Sequence, residues 1–360
     1  MAFATFLSAA CPDEPSRCLW QPYRHGIPGM ERKFFKCWIK NEGEPMIQPH
    51  PLHIQKLLHT PVRRISPYRN NWCIETDFMW WIAKPFDGLK ASWLIQVDRE
   101  LRERGFQSML PMITDGESWI LTPFIQGKTC NYNNVSEVIR MIHTLAFFHQ
   151  AGRYLKTPPP SGAAFLFTHR LQRRLQKFYQ ILTRMDQIED KRLRDLLTEA
   201  GTDFYLDGIK AWERLEQIPF QEWVEHERMQ HMLAHRDLAS HNWMMDQAGR
   251  LWLIDFETAD YDAQVGDLWQ MTMRILAANQ FPDQGLATVL QAYQSVRPLK
   301  AMEKEILACL FLFPNEFFRE MIGLVERKRG YEIKASYPYL KQIAVNRKKW
   351  KKQIAEFLYW

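Results

Sequence analysis

MLAHRDLASHNWMMDQAGRLWLIDFETADYDAQVGDL, residues 232–268, decides how the rest of the chain is read. His235 and Asp237 stand two apart, and Asn242 follows at the spacing HxDxxxxN. Residues 243–245 and 251–254 are apolar runs separated by Gly249, which reads as a short hairpin delivering Asp255 at its end. Asp, Asn and Ser are common turn formers, so His-x-Asp alone would carry little. The joint pattern carries more. Phosphoryl transfer from ATP asks a protein for hard oxygen ligands to magnesium and for a carboxylate that orients the attacking hydroxyl. Asp237 suits the role of base, and Asn242 and Asp255 suit the metal.

His235-Arg-Asp237-Leu-Ala-Ser-His-Asn242 followed by Ile254-Asp255-Phe-Glu257 resembles the catalytic-loop and metal-site motif of aminoglycoside phosphotransferases and choline kinases. Gly105-Phe106, Tyr261-Asp262 and Gly266-Asp267-Leu268 are more similar to the CotS-like spore-coat branch. The resemblance covers roughly residues 60–350. It implies an α+β, bilobed protein-kinase-like fold, with a small sheet-plus-helix N-lobe and a larger, mainly helical C-lobe. ATP and Mg2+ would lie in the cleft between them. It also implies that His235 is the structural histidine of the loop and that Asp267 anchors the loop from the next helix. Lys84 would meet the ATP α- and β-phosphates, and Glu100 would hold Lys84 by an ion pair. Residues 122–127, with Thr122 and Phe124, would form the adenine-reading hinge. The implied partner is a small-molecule hydroxyl acceptor, shaped by residues 160–225.

The same branch carries a second reading, a catalytically silent kinase-like component of a bacterial spore coat, with coat proteins as partners. One departure favours it. Residues 66–71, SPYRNN, stand where a glycine-rich phosphate loop is expected, and glycine is what lets backbone amides approach phosphate closely.

Outward from the motif, residues 72–76 alternate and residues 79–83 run apolar into Lys84, which predicts a strand pair. Residues 91–104 predict a helix stopped by Gly105. Residues 109–113 and 119–125 predict a hairpin through Asp115-Gly116. Asn134 with Glu137 is a capping-box-like start for the next helix. Further helices are expected around residues 171–185 and 205–212, with three more runs after Asp267. These signals divide the chain into an N-terminal extension of unassigned role (1–60), an N-lobe (61–126), a helical C-lobe with the catalytic loop (127–345) and a basic, aromatic C-terminal helix (346–360).

Composition sets the outer bounds. Of 360 residues, 46% are apolar and 24% charged, and 14 Trp with 22 Phe supply a sizeable core. Six cysteines lie scattered without a CxxC pair, which reads as reduced thiols in a cytoplasmic protein, or a coat protein on the second reading. The start MAFATFLSAAC lacks basic residues before its short apolar run, so it does not read as a leader. No run approaches the roughly 20 apolar residues of a membrane span, and no membrane partner is implied. Net charge is +6, and the basic run near residue 350 reads as a solvated amphipathic helix rather than a nucleic-acid surface. His226, His231 and His241 lack zinc-ligand spacing. The acids Glu257, Asp260, Asp262 and Asp267 read as metal and structural support before they read as a surface for a cationic substrate.

Overall fold

Alternation in the run Asn71–Thr76 builds the centre of the smaller lobe: Trp72, Ile74 and Thr76 are buried and their neighbours half-buried. The computed structural model describes residues 47–160 and 166–357, within one compact unit, Gln48–Trp360. The leader-like N-terminus, Cys11, Cys18, Cys37, Tyr359 and Trp360 lie outside the described residues.

The unit opens with helix α1 (Pro51–Leu58), in a stretch for which the sequence suggested no element. Strands β1 (Val62–Tyr68), β2 (Asn71–Thr76) and β3 (Trp80–Pro85) follow, then helix α2 (Gly88–Glu103), β4 (Ile113–Thr114) and β5 (Trp119–Pro123). They form one antiparallel sheet in the order β1-β2-β3-β5-β4. A separate small core of Ile54, Trp72, Ile74, Ala83, Trp119 and Leu121 fills the space between α1 and this sheet. Residues 66–71, which stand where a glycine-rich phosphate loop is expected, form the end of β1, the tight β1–β2 turn and the first residue of β2. Tyr68 pairs with Asn71, and Arg69 takes the left-handed conformation at φ 54°. The predicted hairpin over 109–125 is shorter than expected. Met109 instead bridges Leu253, across the cleft, because its side chain joins the main core.

Asp87 caps α2 by accepting the Lys90 amide at 2.8 Å. At the same helix start a Cβ on Gly88 would fall 2.1 Å from the Gly116 carbonyl, so only glycine lets the β4–β5 turn close over it.

The larger part begins with β6 (Gly127–Thr129) and α3 (Val135–Ala151), capped by the Asn134 side chain on the amides of Ser136 and Glu137. The reciprocal half of the capping box is not made, since Glu137 turns to Lys128 and the Asn131 amide. Helices α4 (Phe167–Thr183), α5 (Lys191–Leu196), α6 (Thr202–Glu216) and α7 (Phe220–Met229) come next, then β7 (Leu233–Ala234), β8 (Trp243–Asp246), β9 (Leu251–Leu253) and β10 (Asp260–Tyr261). Strand β8 lies between β6 and β9, and β7 pairs with β10.

Six helices complete the chain: α8 (Gln264–Ala278), α9 (Gly285–Gln294), α10 (Ala301–Leu312), α11 (Asn315–Val325), α12 (Ile333–Val345) and α13 (Arg347–Phe357). Asp267 sits inside the first of them, and five follow rather than three. Pro282, Pro298, Pro314 and Gly330 (φ 85°) punctuate what reads as fewer, longer runs. The core is aromatic: Phe178 stacks on Phe318 at 4.1 Å and Phe204 on Phe317 at 3.9 Å. The C-terminal helix belongs to this core. Trp350 is buried and donates to the Phe311 carbonyl at 2.9 Å, while Arg347 and Lys351 pair with Asp203 and Asp207 on α6.

Candidate active site

The chain leaving β7 is fixed before it reaches Asp237. Asp267, buried in the first turn of α8, accepts the backbone amides of His235 at 2.6 Å and Arg236 at 2.8 Å. His149 lies 3.3 Å from the same carboxylate. Burial pushes the His149 imidazole down, while the donors around Asp267 hold its carboxyl below the usual range despite burial. The His235 ring is fully buried, packs edge-on against Phe256 at 4.6 Å and reaches the Ile254 carbonyl at 3.0 Å. The loop is thereby tied to the strand that precedes Asp255. Arg236, at φ 71°, is held by Asp262 and Asp260.

Asp237 emerges exposed on 41% of its side chain, enough for an outside group to reach it. Arg274 of α8 lies 3.4 Å from its Oδ1. Asn242 is buried; its amide nitrogen donates to the Asp237 carbonyl at 2.9 Å, which leaves its side-chain oxygen available as an acceptor. The Asn242 carbonyl accepts the Ile254 amide at 2.9 Å, so the loop and the Asp255 strand move as one piece. Asp255 itself is left-handed at φ 67°, a conformation Asp tolerates better than most residues.

Lys84 reaches across from β3 to Asp255 at 2.7 Å and to Glu257 at 2.6 Å. Burial opposes its charge, and the two carboxylates outweigh that and raise its pKa above the ordinary lysine value. The expected Lys84–Glu100 pair is not formed. Glu100 faces the other way, accepting from the amides of Lys156 and Thr157 at 2.8–3.1 Å, from the Thr157 hydroxyl and from Arg104. Three donors from residues 156–157 satisfy that carboxylate, which is why it does not turn toward β3. Glu257, read from the sequence only as one acid among four, takes the place beside Lys84. Its signal was its position two residues beyond Asp255.

In the segment expected to form a hinge, Thr122 pairs with Ile82 inside the sheet. The Phe124 amide is already donated to the Trp80 carbonyl at 2.8 Å, and its ring packs between Tyr68 and Trp80. A Cβ on Gly127 would meet the Met245 carbonyl at 2.1 Å, so glycine is required where β6 passes β8.

The structure therefore bonds Asn242 to Asp237, ties their loop to the residue before Asp255, and sets Lys84 against Asp255 and Glu257, with Glu100 outside the group. The donors are carboxylates and an amide carbonyl, which suit Mg2+ with its remaining positions filled by phosphate and water. No cluster of three or more His, Cys, Asp or Glu side chains forms a metal site among the described residues. The Lys84 ammonium bound to Asp255 and Glu257 marks where positive charge is favoured. No helix among the described residues is long and apolar enough to cross a membrane.

A profile of the phosphotransferase enzyme family (APH) matches residues 95–303, more than half of the chain. Among solved structures, an aminoglycoside phosphotransferase from Alicyclobacillus acidocaldarius aligns at TM-score 0.71 with 19% identity, covering 88% of this chain and 97% of that one. The AMP-bound spectinomycin phosphotransferase APH(9)-Ia aligns at TM-score 0.56 with 12% identity, over 81% of this chain and 93% of its own. The same enzyme with ADP and spectinomycin aligns at TM-score 0.55 with 12% identity, over 82% and 94%.

Proposed function

The chain belongs to the phosphotransferase enzyme family, and from that membership we propose that it transfers the γ-phosphoryl group of ATP, with Mg2+, to a hydroxyl of a small molecule. The observation that carries this reading is the junction of Lys84, Asp255 and Asn242 beside an accessible Asp237. Asp255 and the Asn242 side-chain oxygen would hold the metal, which would supply positive charge to offset that of the phosphates. Lys84 would exchange its contact with Asp255 for the α- and β-phosphates. The Ile125 amide, which has no internal acceptor among the described residues, is available to the adenine edge next to Phe124. Asp237 would orient the acceptor hydroxyl and take its proton as the new O–P bond forms and the bond from the γ-phosphorus to the β-phosphate oxygen breaks, with ADP leaving. Arg274 holds one oxygen of that carboxylate and leaves the other to the acceptor. Asp267 and His235 would act through the backbone, fixing where Asp237 points.

One observation favours the second reading, a silent spore-coat component: the β1–β2 turn has no glycine, and its Asn70 is held by Arg329. Asp237→Asn separates the two. The substitution keeps the loop filled and leaves the proposed metal ligands alone. In a working kinase it leaves Mg-ADP affinity within about threefold and lowers ATP turnover by about 100-fold or more. Turnover can be followed first with water as acceptor. Equal, near-zero hydrolysis in parent and variant across sugars, amino alcohols and peptides would leave the coat reading standing.

A further inference from the structure

The face of α4 that runs past the catalytic loop is a row of cations one turn apart: Arg170, Arg174 and Lys177. Arg170 donates to the Arg236 carbonyl in the catalytic loop at 3.4 Å and pairs with Asp262 at 3.3 Å. Lys177, at the other end, is matched by Glu326 at 2.5 Å. Arg174 between them has no carboxylate within 4 Å among the described residues. Its hydrogen-bond partner is a neutral amide oxygen, that of Asn315 at the start of α11.

The carboxylates nearby are already taken. Glu316 binds Arg319 at 2.7 Å and stands 3.8 Å from Arg274, and Glu320 binds Arg319 at 2.6 Å. Asn315 passes its own amide hydrogen to Glu316 at 2.8 Å. One chain of contacts therefore runs Asp237, Arg274, Glu316, Asn315, Arg174. Arg274 is 92% out of solvent, and its buried Nε has no hydrogen-bond partner. Arg174 as a residue is half-buried, on the helix face that carries Arg170 against the catalytic loop. Burial and the facing Arg319 push its guanidinium down to about 10, the strain of an under-compensated positive charge.

We propose that the acceptor is a hydroxyl compound bearing an oxyanion, carboxylate or phosphate, whose charge is held by Arg174. This rests on the phosphotransferase reading of the cleft. An oxyanion reaching Arg174 gains a charge-assisted pair with a guanidinium that no carboxylate within 4 Å already holds among the described residues, a gain that a neutral or cationic acceptor cannot make.

The test uses the full chain and follows binding by calorimetry of D-glycerate, D-gluconate and sn-glycerol 3-phosphate, with glycerol and choline as neutral and cationic controls. Each titration is run with and without Mg-ADP. At least one anion is expected to bind more tightly than either control. Arg174→Gln, which keeps a donor for Asn315, is expected to weaken the anion by about tenfold or more, and Arg174→Lys to retain most of the affinity. Preference for the two carboxylates or for the phosphate identifies the oxyanion. Choline binding tighter than every anion, no anion binding at all, or an unchanged affinity in Arg174→Gln overturns the proposal. Mg-ADP binding without any anion binding overturns this inference alone. Arg174-dependent anion binding without Mg-ADP binding keeps the anion site and overturns phosphoryl transfer.

Discussion

Lys84 occupies two carboxylates that any divalent cation would also seek. Its two prospective partners, metal and nucleotide, should therefore respond oppositely to its removal. Lys84→Met is expected to tighten Mn2+ binding measured without nucleotide, because Asp255 and Glu257 lose their internal counterion. The same variant should bind Mg-ADP more weakly by about tenfold or more, having lost its phosphate contact. If both affinities fell together, the lysine would be supporting the fold of the site rather than competing for it. A different residue governs pH. Glu227 on α7 is 4% exposed, and burial, with Glu303 nearby, pushes its pKa up to about 7. A carboxyl raised in the folded state binds its proton more tightly folded than unfolded. Its contribution is thus complete below about pH 4.5 and is lost as pH rises toward 7, on the order of 3 kcal/mol in all. Glu227→Gln should flatten the fall in urea stability between pH 5 and pH 8. An unchanged slope would assign that fall to other groups.

At the scale of elements, α2 joins the two parts of the molecule through Glu100. Its carboxylate takes the amides of residues 156 and 157, just beyond α3, and Trp93 on the same helix donates to the Pro158 carbonyl at 2.8 Å. Glu100→Gln is expected to cost about 1.5–3 kcal/mol of stability, the range for hydrogen bonds to a charged group. On nucleotide affinity, a double-mutant cycle with Lys84→Met should show coupling below about 0.5 kcal/mol. Strong coupling would mean that α2 rotates Glu100 toward Lys84 when nucleotide binds. Sequence could not have supplied this. Periodicity placed α2 within a few residues of its true bounds, but it says nothing about which face meets β3 and which meets the segment after α3. The catalytic loop was legible because its parts lie within thirty-odd residues of one another and are joined by short hairpin geometry. Arg274 was not, since it reaches Asp237 from α8, and an arginine on a helix carries no local sign of what it faces. The absence of glycine from the β1–β2 turn is legible in the sequence, while its closure as a two-residue hairpin from Tyr68 to Asn71 is seen only in the structure.

That turn matters most at the scale of the whole molecule. The smaller lobe meets the larger at Lys84 with Asp255 and Glu257, at Lys90 with Asp260, and at Glu100 with residues 156–157. A further contact lies on the β1–β2 turn, where Asn70 accepts from Arg329 in the segment between α11 and α12. Unlike the contacts at the site, along α2 and at the Met109–Leu253 bridge, this one joins a hairpin tip of the smaller lobe to the larger, where it would act as a clasp over the cleft mouth. It is exposed, and a single surface contact of this kind changes global stability by no more than about 0.5 kcal/mol. Its effect should instead be kinetic. A clasp that must open before nucleotide enters and again before it leaves slows both steps alike and leaves their ratio nearly fixed. Arg329→Ala is therefore expected to raise the association and dissociation rates of a fluorescent ADP analogue together, with Kd changed by less than about threefold. Stopped-flow mixing measures both rates directly. Unchanged rates would mean that the turn is not on the nucleotide's path. A fall in dissociation rate alone would mean that Arg329 had been competing for the nucleotide's own place.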